Sequence, residues 1–93
     1  MAEGYEPKFL TPSEITTKVN IKSGINSTAS AHVSIPSDFC LLMVCIGSGN
    51  ASMGIVYKYA NTWYLVGISN NYATLSGSDI VLTNSYSMYK FFY

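Results

Sequence analysis

Phe39-Cys40-Leu41-Leu42-Met43-Val44-Cys45-Ile46 is the stretch whose reading decides the fold. Its eight apolar residues follow Pro36-Ser37-Asp38 and lead into Gly47-Ser48-Gly49-Asn50. The run is short for a helix and of ordinary length for a strand, and turn-forming residues bound it on both sides. A buried helix is the competing reading of so short a run. No polar side chain offers either face to water, so the stretch predicts the central strand of an all-β domain, covered on both faces.

The chain around it is poor in charge. Hydrophobic residues make up 48% of the 93 residues and charged ones only 11%, against roughly 25% charged in an ordinary soluble domain. Arginine is absent, and five lysines balance five acidic residues to a formal net charge of zero. Such a chain has no electrostatic footprint for nucleic acid or for an anionic membrane. A small domain has much surface for its volume, and here there is too little charge to cover it. Oligomerisation, together with a surface of Ser, Thr, Asn and the eight tyrosines, is the expected remedy. The eight-residue run is less than half of what a membrane-spanning helix needs, about 20 residues. The start Met1-Ala2-Glu3-Gly4-Tyr5-Glu6-Pro7-Lys8 lacks the basic opening and apolar core of a signal peptide. No signal peptide and no transmembrane segment are therefore expected.

Working outward from the central run, residues 1–14 read as an N-terminal arm and residues 15–93 as a β-sandwich domain. The arm shows no alternation. It includes Thr11-Pro12-Ser13-Glu14, which fits a helix-capping box. Its Glu3, Glu6 and Glu14 beside Tyr5, Phe9 and Leu10 suit a segment that is dispensable for folding and docks on a neighbour. From Ile15 the alternation is clean: Ile15, Thr17, Val19 and Ile21 share one face, and Thr16, Lys18, Asn20 and Lys22 the other. Ser23 to Thr28 reads as a connection to a second strand, with Ala29, Ala31, Val33 and Ile35 inward and Ser30, His32 and Ser34 outward.

Beyond the central run, Ala51–Tyr59 and Thr62–Ile68 read as a hairpin around Ala60-Asn61, Asn being tolerant of the left-handed turn conformation. Pairing Tyr59 with Thr62 sets Tyr57 opposite Tyr64, Ile55 opposite Val66 and Met53 opposite Ile68 on the face taken as core. It sets Val56 beside Leu65 and Lys58 beside Trp63 on the other. Tyr72–Leu75 forms a short strand, and Asp79–Thr83 with Tyr86–Tyr93 a last hairpin around Asn84-Ser85. In that register Asp79 faces Lys90, Ile80 faces Tyr89 and Leu82 faces Ser87. About eight short strands without a convincing helix predict an antiparallel β-sandwich, most simply a jelly roll.

Little here reads as chemistry. His32 is the only histidine, and a triad of His32, Asp38 and some serine could be drawn in any Ser-rich chain. The carboxylates are scattered, one His with two Cys on opposed faces cannot build a zinc site, and no phosphate- or dinucleotide-binding motif occurs. No catalytic residue, metal or cofactor is assigned, and an enzyme is not expected. Cys40 and Cys45, five apart on one strand, cannot bridge each other and are read as reduced, inaccessible core thiols. Asn26-Ser27-Thr28 and Asn50-Ala51-Ser52 are read as chance sequons in an Asn/Ser-rich chain.

The aromatic residues gather in the second half. Most should be core, yet the hairpin registers leave apolar residues on both faces, and charge-poor apolar outer faces suit subunit interfaces. Val56, Lys58, Trp63 and Leu65 are the candidate oligomer or ligand surface. The alternative is a carbohydrate-binding module in which Trp63 and neighbouring tyrosines stack on sugar rings.

The order of features from Ile15 to Tyr93 resembles the small all-β modules that end phage tail fibres and related virion proteins. A Thr/Ser-rich alternating start reaches Ser34-Ile35-Pro36 and then the apolar strand. A Gly/Ser-rich loop precedes Gly54-Ile55-Val56-Tyr57, and Ser76-Gly77-Ser78-Asp79-Ile80-Val81-Leu82-Thr83-Asn84 leads to an aromatic last strand. The resemblance implies a homotrimer that attaches a virion to its host or completes a fibre, with a cell-surface glycan or a virion neighbour as partner. It places the chain in the virion, or in the host cytoplasm during assembly.

Overall fold

Alternating side chains with turn residues between them leave strand as the low-energy state for nearly every segment. The computed structural model describes residues 20–93, where there are eight strands and no helix. They are β1 (Ile21–Asn26), β2 (Ala31–Ser34), β3 (Phe39–Ile46), β4 (Ala51–Tyr59), β5 (Thr62–Val66), β6 (Ala73–Ser76), β7 (Asp79–Leu82) and β8 (Ser87–Phe92). The arm of residues 1–14, its capping box and the alternation of 15–19 lie outside the described residues. The β1 ladder runs through Ser23 to Asn26, a stretch whose Ser and Gly had suggested a connection.

Two antiparallel sheets form a β-sandwich: a five-stranded sheet in the order β1-β8-β3-β4-β5 and a three-stranded sheet in the order β2-β7-β6. The pairings β1–β8, β2–β7 and β4–β5 are those of a long hairpin rolled up on itself, whereas β3 pairs with β4 and β8, and β6 with β7. The apolar run is the middle strand of the larger sheet, as its composition predicts. It is covered on one face only: Cys40, Leu42 and Val44 are fully buried, while Phe39 and Leu41 are 62% and 41% exposed.

Both sheets contribute to one core. Val33 of β2, Val56 of β4, Ala73 of β6, Ile80 and Leu82 of β7 and Phe91 of β8 close over the three β3 residues. At one margin Lys22 Nζ, on the core-side row of β1, donates to the carbonyl and hydroxyl oxygens of Ser34 on β2, both at 2.7 Å. That ammonium contact ties the two sheets together.

Passage between the sheets rests on a close backbone approach. Gly67 takes a φ of +87°, and the chain leaving β5 crosses the core side of β4 at Gly54. A Cβ on Gly54 would run into the Val66 carbonyl oxygen and stand 2.9 Å from the Ile68 amide nitrogen. The expected pairing of Met53 with Ile68 is accordingly absent, and the β4–β5 ladder ends at Ile55–Val66. The expected last hairpin is also absent. β7 and β8 belong to different sheets, because residues 83–86 carry the chain across the sandwich rather than turning it back in plane. Asp79 therefore stands opposite Ser34 and Ser76, and Lys90 opposite Ser23 and Met43.

Two stability outcomes follow. Gly54→Ala should lower the free energy of unfolding by roughly 2–4 kcal/mol, because its obstacle is backbone that cannot yield cheaply; urea unfolding would show this as an earlier midpoint. Ala60 and Asn61 both take positive φ, 51° and 63°, as a two-residue hairpin turn of matching twist requires. Replacing them by Asn and Gly together should raise stability by about 1 kcal/mol, since Ala pays for the left-handed conformation; an unchanged or earlier midpoint would count against it.

Candidate functional site

The β4–β5 register is the one the sequence predicts: Tyr57 pairs with Tyr64, Ile55 with Val66, Val56 with Leu65, Lys58 with Trp63 and Tyr59 with Thr62. The faces are exchanged. Val56 is fully buried in the core, and Trp63 and Leu65 are half-buried against it. Lys58 is exposed, with its Nζ 5.7 Å from the Trp63 ring centroid at the margin of that core-side row. The four residues thus lie on the core-side rows of the sheet rather than on its outer face, and Val56 has no accessible area with which to touch a partner. The pattern could not decide between the faces because both are apolar. Gly54 decides: the row it occupies must be the one crossed by the chain on its way to the second sheet.

What faces outward is the row set that the sequence pattern predicts as core. Side chains in register across a sheet share a face, so the outer surface of the five-stranded sheet can be read in rows. Ile25, Met88, Cys45 and Ala51 form the first. Ser23, Lys90, Met43 and Met53 form the second, and Ile21, Phe92, Leu41, Ile55 and Val66 the third. Phe39, Tyr57 and Tyr64 follow, then Tyr59 and Thr62. Ile21, Ile25, Phe39, Met53 and Tyr59 are each more than half exposed. The Tyr57 and Tyr64 rings stack with centroids 5.0 Å apart. Among the described residues, only Ser23, Thr62 and Lys90 interrupt the apolar and aromatic cover, and of these Lys90 alone is charged. Grooves flank it on both sides, one lined by Met43, Cys45 and Met88, the other by Ser23, Gly24, Ile25 and Met88.

The outer face of the three-stranded sheet is of the opposite character. His32, Val81 and Thr74 form one row and Ser34, Asp79 and Ser76 the next. His32 Nδ1 lies 3.4 Å from an Asp79 carboxylate oxygen, both side chains being well exposed. The sequence places His32 outward correctly; its neighbour is Asp79 rather than Asp38, because β2 pairs with β7. Solvent screening leaves such a pair weak. Among the described residues no three His, Cys, Asp or Glu side chains gather as metal ligands do.

The thiols separate as opposite-face residues must. Cys40 is fully buried, and burial pushes its thiol above the usual range; a backbone hydrogen bond at Ser37 works against that rise, and the Asp38 charge adds to it. Cys45 is free and lies on the outer face, half-buried, which corrects the expectation that both are inaccessible. In dilute native protein one thiol per chain, Cys45, should react with a maleimide, and Cys40 should react only on unfolding. Equal rates for both would mean that β3 does not have one buried and one open face.

No family model, curated protein or solved structure matches the chain.

Proposed function

We propose that the chain is a non-enzymatic structural and attachment module of a phage-like particle, working through contacts with copies of itself, neighbouring virion proteins and the host surface. The observation that carries this reading is the outer face of the five-stranded sheet. An apolar face five strands wide, with one charge on it, is costly in water and favourable when covered. The polar outer face of the three-stranded sheet gives the domain a side that suits solvent, so an assembly would have a defined inside and outside. The charge-poor composition and the order of sequence features, from Ser34-Ile35-Pro36 to the aromatic β8, support the same reading.

Sugar stacking on Trp63 gains no support from its placement, since that ring packs against the core. Among the described residues no helix is long and apolar enough to cross a membrane.

The test is direct. Antibodies raised against the chain should label intact particles purified from the culture that encodes it, and soluble chain should compete with those particles for adsorption to host cells. Particles that carry neither label nor the chain by mass spectrometry would overturn the reading.

A further inference from the structure

Resting on that reading of the outer face as an assembly surface, we propose that its occupant is the same face of a second copy, two five-stranded sheets stacking face to face. Sheet-on-sheet stacking is the ordinary way to bury an apolar sheet face, with side chains of the two layers interdigitating about 10 Å apart.

Size supports a stable pair. Five strands about 4.8 Å apart span ~24 Å, and strands of five to nine residues at about 3.3 Å each run ~17–30 Å. The product is about 400–700 Å² per copy, so two copies would bury on the order of 1,000 Å² or more, the lower range of specific interfaces.

Chemistry selects the occupant. A partner with an acidic patch would find, among the described residues, only one cation on this face. An anionic lipid surface would find no cluster of basic residues either. A nearly uncharged apolar surface fits, and a second copy supplies one of the same extent. Lys90 also bears on the arrangement. It lies on β8, one strand from the middle strand β3. A two-fold axis running along β3 sets β8 of one copy over β4 of the other, which keeps the two ammonium groups apart and leaves each beside apolar side chains and the grooves that flank it.

The experiment combines mass with protection of Cys45, which lies on the face. By sedimentation equilibrium the intact chain should move from 10.2 kDa to twice that value as concentration rises. Over the same range the maleimide rate of Cys45 should fall about tenfold once nine chains in ten are paired. Leu41→Asp, and Met53→Lys, which would set a second cation opposite Lys90 across the two-fold, at outward positions 41% and 55% exposed in the single chain, should each stay at the single-chain mass and keep Cys45 reactive throughout. Should either variant fail to fold, the wild-type protection curve still decides.

A single-chain mass at every concentration overturns the stack, as does a three-chain mass. A pair in which Cys45 stays fully reactive, or one that survives both substitutions, shows that another surface holds the copies and overturns it too. Cys45 protected while the mass is still 10.2 kDa would mean that another part of the chain covers the face; pelleting with phosphatidylcholine vesicles would name lipid as the occupant. Both outcomes overturn the proposal. Particle labelling is read independently, so a labelled particle with the wrong mass sinks only the stack, and an unlabelled particle with the right mass sinks only the functional reading.

Discussion

The architecture depends on a missing side chain. At Gly54 two backbones come within van der Waals contact, and this lets the chain leave the five-stranded sheet at Gly67 and reach β6 in the opposing sheet. That crossing settles which face of β4 and β5 is inward. It therefore sends Val56, Leu65 and Trp63 to the core, and Met53, Tyr64 and Val66 to the surface. Any larger residue at Gly54 would have to push the crossing outward and open the core above Leu42, its partner on β3.

Local readings in the sequence survived where one residue type forces one outcome. The bounds of β3 and the turn at Ala60-Asn61 were legible, because Pro, Gly and Asn constrain the backbone directly. The inward Val33 and outward His32 were legible because β2 alternates cleanly between apolar and polar. Orientation failed where both faces are apolar, as in β3 and the β4–β5 hairpin, since period-2 alternation then carries no sign. Topology failed between β7 and β8 for a different reason. A short polar link can turn a chain in plane or carry it across a sandwich, and the Asp79–Lys90 charge match was too weak a signal to choose between them. Val56, Lys58, Trp63 and Leu65 thus fall on the core-side rows, and the outward rows are those of their neighbours in the chain.

The eight apolar residues of β3 and the chain's poverty of charge turn out to be one fact. A strand that is apolar on both sides implies cover on both sides. The sandwich core supplies one cover, and the outer rows around Leu41 and Met43 ask for another. The polar outer rows of the three-stranded sheet, with His32 and Asp79 well exposed, show that the chain can build a surface for water where it needs one. The difference between the two sheets is a property of their outward residues, since both present aliphatic side chains to the shared core.

The position of β8 sets the order in which this molecule can form. β8 lies between β1 and β3, so the first described strand has no neighbour in its sheet until the last one has been made. Phe91, among the largest core side chains, arrives with it. A ribosome delivering the chain would release β3, β4 and β5 as a three-stranded meander while β1 waits, and the core could close only once β8 has emerged. Non-local closure of this kind is slow on the scale of small domains, milliseconds to seconds. Throughout that interval the apolar rows on both sides of β3 face water. The topology thus ties closure of the domain to the making of β8, and leaves the nascent chain dependent on dilution, or on a chaperone, during the interval in which it is most able to aggregate.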